Sequence, residues 1–358
     1  MKQKILFIKH ADSSFIATDQ QILETRYRVV LFLTGPGSGG FWFLKRMISL
    51  CWFLLRNAHG ASAFVAWFGD YHSAVMVFFG LLLHKKRVIF AGGQDAICYP
   101  ELQKGVYCKK LRSCCVKFAF SHATHIIPNH ASLIFHENFY YSSTGKKDGI
   151  RHYIPRIKTP MTVIPNGIST TAFFREPAIR KDPALVLTVG TMGSKADFLN
   201  KGFDLFTELA RRNPGLKCIM TGVGKPFMSW IEENYRVQSI PNLEICLASP
   251  PQVLFEQYNR ATVFVQASIT EGMPNALGEA MLCECIPVGS AVNGIPDVIG
   301  KTGVIVGKRD VAELEKAVLA ALTLNTGADA RQHILNNFTF AIREKRLLAL
   351  FHELIGSS

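Results

Sequence analysis

The chain has 358 residues, 48% hydrophobic and 19% charged, with a formal net charge of +13; that composition excludes a disordered chain, and at about 150 residues per domain the length suggests two domains. The charge is uneven: residues 1–180 hold 23 Lys+Arg against 9 Asp+Glu (+14), and residues 181–358 hold 17 against 18 (−1). A basic half beside a neutral half points to an anionic partner for one domain: nucleic acid, a membrane surface or a phosphorylated substrate.

The chain opens on Lys4–Ile8, an apolar run too short for a signal peptide and followed by no small-residue cleavage site, so it reads as a strand. Further candidate strands in the first half are Val29–Leu33, Phe64–Phe68, Arg87–Ala91 and His125–Pro128. A second series comprises Leu185–Val189, Lys217–Thr221, Leu243–Cys246, Thr262–Gln266, Ile286–Gly289 and Gly303–Val306. Each is almost continuously apolar, as parallel strands covered on both faces are, and helix-length connections separate most of them. The pattern predicts a doubly wound α/β sheet, twice over. Tyr141–Pro183, rich in Ser, Gly, Lys and Pro, reads as an inter-domain connection, and Ala330–Leu354 as helical. The longest apolar run, Ala74–Leu83, is about half a membrane span. Nine scattered cysteines with no C-x-x-C argue against zinc or a disulfide framework and for a reducing cytosol.

In such sheets ligands bind beyond the carboxyl ends of the strands. The segments there are His10–Ser14, Gly35–Gly40, Gly69–His72 and Gly92–Asp95, then Gly190-Thr191, Gly222–Gly224, Ser268–Gly272 and Ser290. Glycines and small polar residues dominate both sets, and two such edges forming a cleft suit a phosphorylated ligand. Gly35–Gly40 fits G-x-G-x-x-G, but it follows the second strand and lacks an acid about 20 residues on, so a turn is the better reading.

Phe41–Arg56 has helical periodicity: Lys45, Arg46, Ser49 and Arg56 fall within about 100° of arc and most of the remainder is apolar. Two readings stay open, an interfacial membrane helix and a covering helix of the first sheet. Lys85–Arg87, Lys109, Lys110, Arg112, Lys117, Lys146 and Lys147 add cationic surface for an anionic membrane. No helix-turn-helix, zinc or base-stacking motif accompanies them, so nucleic acid is not an expected partner.

The most specific stretch, Ser268–Val288, runs from a strand end through the turn Glu271-Gly-Met-Pro-Asn275 into a helix carrying Glu279, then into another strand. It resembles retaining glycosyltransferases of the GT-B fold, glycosyltransferase family 4, whose E-G-x-x-x-x-x-x-E-A-M signature is matched by Glu271, Gly272, Glu279, Ala280 and Met281. Ile286–Val288 and Gly294–Val298 resemble the family's "P-V-I … G-x-x-E-V", with Asp297 where Glu is usual. Val163–Ile168 is similar to "V-I-P-N-G-I-D", Gly190 with Lys201-Gly202 to "V-G-R … K-G", and Thr221–Gly224 to "G-x-G".

The resemblance implies an α/β GT-B architecture of two Rossmann-like doubly wound domains with a deep inter-domain cleft. Residues 1–168 would form the acceptor-side domain, 169–335 the nucleotide-sugar domain, and 336–358 a helix returning to the first. It implies hexosyl transfer from a nucleoside-diphosphate sugar, UDP- or GDP-linked, to a hydroxyl of a saccharide or lipid-linked acceptor, retaining configuration. Cell-surface polysaccharide or glycolipid synthesis in the cytoplasm, or peripherally at the cytoplasmic membrane face, is the implied setting, with no cofactor. No D-x-D occurs, so a metal-bridged diphosphate is not expected.

By the same resemblance, Lys201 is the cation at the diphosphate leaving group, where charge grows in the transition state. Glu279 accepts from ribose hydroxyls and Glu271 faces the donor sugar. Gly190, Gly222 and the turn Gly272, Met273, Pro274 and Asn275 hold diphosphate and sugar. Thr191 stands where the family has arginine, and Lys195 is either its replacement or an ordinary exposed lysine. His72, with Asp70 as polar neighbour, is the candidate histidine reaching the donor sugar, or else a helix-start residue facing solvent. Asp95 reads equally as a site residue or a turn residue. A sugar-nucleotide epimerase on the same fold and a non-catalytic sugar-binding protein are the other classes; intact Glu271, Glu279 and Lys201 argue against the second.

Overall fold

All eleven apolar runs are strands in the computed structural model, which describes residues 2–10, 13–35, 37, 39–247 and 249–356. Ala11, Asp12, Pro36 and Ser38, which belong to two of the segments expected past strand ends, lie outside the described residues. The chain divides into two units: residues 1–136, 147–167 and 341–358 form the first, and 137–146 and 168–340 the second.

Unit 1 alternates β1 (Lys4–Lys9), α1 (Ser14–Arg26), β2 (Arg28–Leu33), α2 (Gly40–Asn57), β3 (Ala61–Trp67), α3 (Tyr71–Leu82), β4 (Lys86–Ala91), α4 (Lys110–His122) and β5 (His125–Pro128). The strands pair in parallel in the order β2-β1-β3-β4-β5. Ile5–Ile8, Ala63–Trp67 and Val88–Ala91 are buried, helices covering both faces of the sheet, which is why their apolar runs show no alternation.

Helix α2 presents two apolar faces. Leu50 and Leu54 are buried in the unit 1 core, so it does cover the sheet. Yet Phe41, Leu44, Ile48, Trp52 and Leu55 share about 80° of arc roughly opposite, at about 100° per residue. Each of these five is 55–83% exposed. A covering role accounts for only one of the two apolar faces.

The stretch read as connection contains a ribbon of β6 (His136–Asn138) with β7 (Lys146–Asp148), then α5 (Ile150–Tyr153). These strands are three residues long and polar, so no apolar run marked them. Residues 137–146, expected within the first domain, count instead with unit 2: Asn138 Nδ2 donates to the Ile269 carbonyl at 2.7 Å, and Tyr140 is buried in that unit's core.

Unit 2 contains β8 (Asp182–Val189), α6 (Lys195–Asn200), α7 (Phe203–Arg212), β9 (Lys217–Val223), α8 (Met228–Tyr235), β10 (Leu243–Leu247), α9 (Pro251–Arg260) and β11 (Ala261–Gln266). It continues through α10 (Asn275–Leu282), β12 (Ile286–Ser290), α11 (Ile295–Ile299), β13 (Val304–Val306), α12 (Val311–Ala321) and α13 (Gly327–Asn337). Its parallel strands run β10-β9-β8-β11-β12-β13. The final helix α14 (Phe340–Ile355) joins unit 1 from residue 341. Arg343 fastens it there: its side chain, 2% exposed, donates to both oxygens of the fully buried Asp19 at 2.5 and 2.6 Å. It also donates to the carbonyls of Ile164 and Pro165, both at 2.7 Å, and Trp67 Nε1 gives Asp19 a further bond at 2.9 Å.

Each sheet therefore reverses its strand order once, between β1 and β3 in unit 1 and between β8 and β11 in unit 2. Such reversals leave a crevice beyond the strand ends where connections depart to opposite faces.

Candidate active site

In unit 2, Gly190 follows β8 and Ser268–Gly272 follow β11, the strands flanking the reversal. Gly222, near the end of β9, has φ +100°, and a Cβ there would lie 1.9 Å from the Gly190 carbonyl oxygen, so only glycine fits. The Lys201 stem packs on Gly190, where a Cβ would meet its Cγ and Cδ at 3.2 Å. Gly202, with φ +72°, caps the start of α7 and leaves no room for a Cβ, which would lie 2.3 Å from the Ala267 carbonyl.

These close approaches bring the Lys201 ammonium to 2.6 Å from Glu271 Oε2, each side chain about a fifth exposed (21% and 20%). The turn holding Glu271 is tied down on several sides. Ile269 N–H donates to the Asn200 carbonyl at 2.8 Å; Glu271 N–H and the Thr270 hydroxyl donate to Asn293 Oδ1 at 3.1 and 3.3 Å; Gly294 N–H donates to the Gly272 carbonyl at 3.1 Å. Gly272, Met273 and Pro274 are buried, and Pro274 leads into α10 at Asn275. Along that helix Glu279 accepts the Tyr258 hydroxyl at 3.1 Å. Burial pushes the Glu279 carboxyl up to about 7, the Tyr258 bond pulling the other way.

The structure thus brings Lys201 and Glu271 together, with Gly190 against the lysine stem and Gly222 against the Gly190 carbonyl. Thr191 is exposed next to Gly190. Lys195 does not join them: its ammonium lies 5.3 Å from the Trp230 ring centroid, a cation–π contact. Helix α6 is only six residues long and points positions 195 and 201 to different sides. Sequence reading missed Asn293, which holds the Glu271 turn, and Tyr258, which holds Glu279. The Asn293-Gly294 dipeptide was a signal, since Asn293 has φ +48°, a conformation Asn tolerates better than most residues.

In unit 1, Asp70 caps α3: Oδ1 accepts the Tyr71 N–H at 2.8 Å and Ser73 Oγ accepts the Asp70 N–H at 2.8 Å. His72 is 4% exposed, so the solvent-facing alternative is wrong. Its Nε2 lies 2.8 Å from the Trp67 carbonyl, which only accepts, so that nitrogen carries the hydrogen. Burial pushes the imidazole pKa down, against the pull of Asp70, and the neutral ring keeps Nδ1 as an acceptor. Arg112, expected among surface cations, instead donates to both Asp70 oxygens at 2.8 and 2.5 Å. Burial raises the Asp70 pKa, but the bond and charge of Arg112 outweigh it and hold the carboxyl below its usual range. Asp95, 1% exposed, accepts the N–H groups of Gly69, Gly92 and Gly93 at 3.0, 3.1 and 2.9 Å, pinning the loops after β3 and β4.

Residues 183–323 match the family model described as Glycosyl transferases group 1. A phosphatidylinositol N-acetylglucosaminyltransferase subunit of Homo sapiens is 27% identical over 166 residues, 44% of this chain and 33% of that protein. The GPI3 subunit of the corresponding transferase in Saccharomyces cerevisiae is 24% identical over 178 residues, 46% of this chain and 38% of that protein. The match thus spans little more than a third of the length of these curated relatives. Sucrose-phosphate synthase from Thermosynechococcus elongatus superimposes with a TM-score of 0.75 at 14% identity over the whole of both chains. HepE of Anabaena, solved with UDP and glucose, gives 0.70 at 14% identity over 98% of this chain and all of its own. At that identity the likeness shows the fold, which is GT-B. The family model thus covers the β8–β13 sheet of unit 2, and the solved structures share the GT-B fold of the whole chain.

Proposed function

We propose that this chain transfers a hexosyl group from a UDP-sugar to a hydroxyl of a saccharide or lipid-linked acceptor, retaining configuration and using no metal. The setting is cell-surface polysaccharide or glycolipid synthesis. One observation carries the reading: the Lys201–Glu271 pair at 2.6 Å, at the reversal of the unit 2 sheet and within the matched segment. A nucleoside diphosphate gains charge as the bond from its phosphate oxygen to sugar C1 breaks, so a cation there favours the transition state over the ground state. Donor binding replaces the ion pair: Lys201 donates to the diphosphate and Glu271 accepts from sugar hydroxyls, each keeping a charge-assisted hydrogen bond. The acceptor oxygen then bonds C1 on the face the phosphate leaves, and the departing phosphate oxygen takes the hydroxyl proton, so no protein base is required. The HepE complexes with UDP and UDP-glucose favour uridine as the base. The relatives named for phosphatidylinositol favour a lipid-linked acceptor.

The test is incubation with UDP-sugars and acceptors, following UDP release and the anomeric configuration of the product. UDP release that survives Lys201→Ala unchanged, or a new epimer with the nucleotide still attached, rejects the reading.

Peripheral attachment to the cytoplasmic membrane face is part of it. The outward stripe of α2 supports attachment, bordered by Lys45 and by Arg56, whose guanidinium lies 4.8 Å from the Trp52 ring centroid. An aromatic ridge with a cationic border suits an anionic lipid surface. Among the described residues no helix is long and apolar enough to cross a membrane. Co-sedimentation with anionic vesicles should be lost in Ile48→Glu and Trp52→Glu while UDP binding persists; vesicle binding that persists in both variants rejects attachment.

A further inference from the structure

Helix α14 buries Arg343, Leu347, Leu350 and Phe351 on one face. Lys345, Ala349 and His352, at i, i+4 and i+7, share the opposite face. That outer face borders a cavity of about 620 Å³ in unit 1. Gln3, just before β1, and Arg26 and Tyr27, at the end of α1, line the same cavity. It therefore lies at the amino end of β1. At about 3.3 Å per residue, Gln3 and His10 are roughly 23 Å apart along that strand, so the cavity is remote from the crevice beyond the strand ends.

Three of the lining side chains, Arg26, Lys345 and His352, are basic, and none is acidic. Among the described residues none of the three forms an ion pair. Arg26 and His352 stand in the last turns of α1 and α14, where the carbonyl end of a helix favours a positive charge. Lys345 is in the second turn of α14, far from that end, so the helix dipole does not explain it. Ala349 lies between Lys345 and His352 on the helix face, and its methyl group leaves open the space a longer side chain would fill. The walls are fixed: Tyr27 is 8% exposed, its ring centroid 6.1 Å from that of Phe351. Gln3 Nε2 donates to the Gly356 carbonyl at 3.1 Å, tying the end of α14 to the start of β1.

Lys345 and His352 are about 10 Å apart along the helix axis, and Arg26 approaches from the other wall. One phosphoryl group is too small to bond all three, whereas two on one small molecule match the spacing. The volume falls within the roughly 300–1,000 Å³ of small-molecule sites, and the Tyr27 ring and Ala349 methyl offer apolar surface to the framework between the two charges.

We propose that this cavity binds a small molecule carrying two phosphoryl groups, Arg26 donating to it from one wall and Lys345 and His352 from the other, and that the ligand clamps the end of α14 to unit 1. The site does not depend on the transferase reading, since none of its residues belongs to the donor site. Calorimetry on the full chain, and on Lys201→Ala to remove diphosphate binding in unit 2, tests it with fructose 1,6-bisphosphate, inorganic pyrophosphate, fructose 6-phosphate and fructose. The bisphosphate should bind more tightly than the monophosphate, and fructose should not bind. Pyrophosphate that binds as well as the bisphosphate identifies an inorganic ligand; weaker binding identifies an organic one. Arg26→Gln and Lys345→Gln should each weaken the bisphosphate about tenfold, because each removes a charge-assisted hydrogen bond. Ala349→Leu should abolish binding by filling the space, and Lys117→Gln, elsewhere on the basic unit, should change nothing. The four substituted side chains are exposed, so none of the variants removes core packing. The bisphosphate should also raise the melting temperature of the unsubstituted chain and not that of Ala349→Leu. Absence of binding by both bisphosphate and pyrophosphate overturns the proposal. So does binding that survives Ala349→Leu, or that Lys117→Gln weakens as much as Lys345→Gln does.

Discussion

In unit 2 the cation at the strand reversal, Lys201, is already paired with Glu271, whereas at the unit 1 reversal Arg46 and Lys109 form no ion pair among the described residues, beside an Arg112 that Asp70 has neutralised. Both places occupy the same topological position, past strand ends where the order turns back. They differ in what holds them. In unit 2, backbone meets backbone and side chain without room for a Cβ, and the two opposite charges hold each other. In unit 1, side chains from the starts of helices supply a standing positive potential. The difference gives the charge asymmetry a location: the +14 half includes a cavity lined by Arg46, Lys109 and Arg112, and the −1 half contains the Lys201–Glu271 pair, whose charges cancel.

The largest expected effect tests whether unit 1 has an anchor that unit 2 lacks. Asp19→Ala leaves the Arg343 guanidinium buried without its carboxylate and should destabilise unit 1 by about 3–5 kcal/mol in thermal or urea unfolding. Asp19→Leu combined with Arg343→Met should recover much of that loss; no recovery would mean the pair is not the anchor.

Next in size is the separation of roles. Lys201→Ala should lower the turnover of sugar transfer about 10²–10³-fold, the scale of losing one preorganised transition-state donor. Arg46→Gln, at the unit 1 reversal, should instead leave turnover little changed. If the two variants behave alike in steady-state kinetics, the division between donor and acceptor units is wrong.

Glycines sharpen the contrast in backbone packing. Gly222→Ala forces a Cβ against the Gly190 carbonyl at φ +100° and should cost about 1–3 kcal/mol or more in melting experiments, with UDP affinity falling alongside. Gly40→Ala meets open space at the start of α2 and should be neutral or stabilising by about 0.5 kcal/mol.

The smallest effect is a pH dependence confined to the donor side. In the proposed donor site, ribose hydroxyls would bond the Glu279 carboxylate, whose pKa burial raises to about 7, so UDP affinity should fall by up to about tenfold per pH unit below that value and level off above it. Glu279→Gln should flatten the profile in calorimetry. The stability effect has the opposite sign. The folded pKa lies above the ordinary 4.5, so Glu279 favours the folded state at low pH and this contribution is lost as pH rises from about 4.5 through about 7. In unit 1, His72 has a folded pKa below its ordinary 6.5, so its contribution is present above that value and lost as pH falls through the window beneath it.

The strands of both sheets were legible because parallel strands between two helical layers bury both faces and leave a continuous apolar run. Only β6 and β7 escaped, three polar residues each. Glu271, Gly272 and Glu279 were legible because a strand-turn-helix segment is local in sequence. Their partners were not: Lys201 meets Glu271 across 70 residues, and Asn293 reaches back 22 residues to the Glu271 amide. In α2 the sequence specified apolar residues around most of the helix, and a helix apolar on opposite faces has no periodicity that says which face is inside. Only packing assigned Leu50 and Leu54 to the core and left Ile48 and Trp52 outside. The cavity at the unit 1 reversal was the least legible feature. His10, Thr34, Arg46, Asp70 and Lys109 come from separate segments that no local spacing joins. Local pattern reports burial and turn geometry, whereas which charges neutralise one another and which remain free is decided where strand ends converge, at distances in the chain that no spacing encodes.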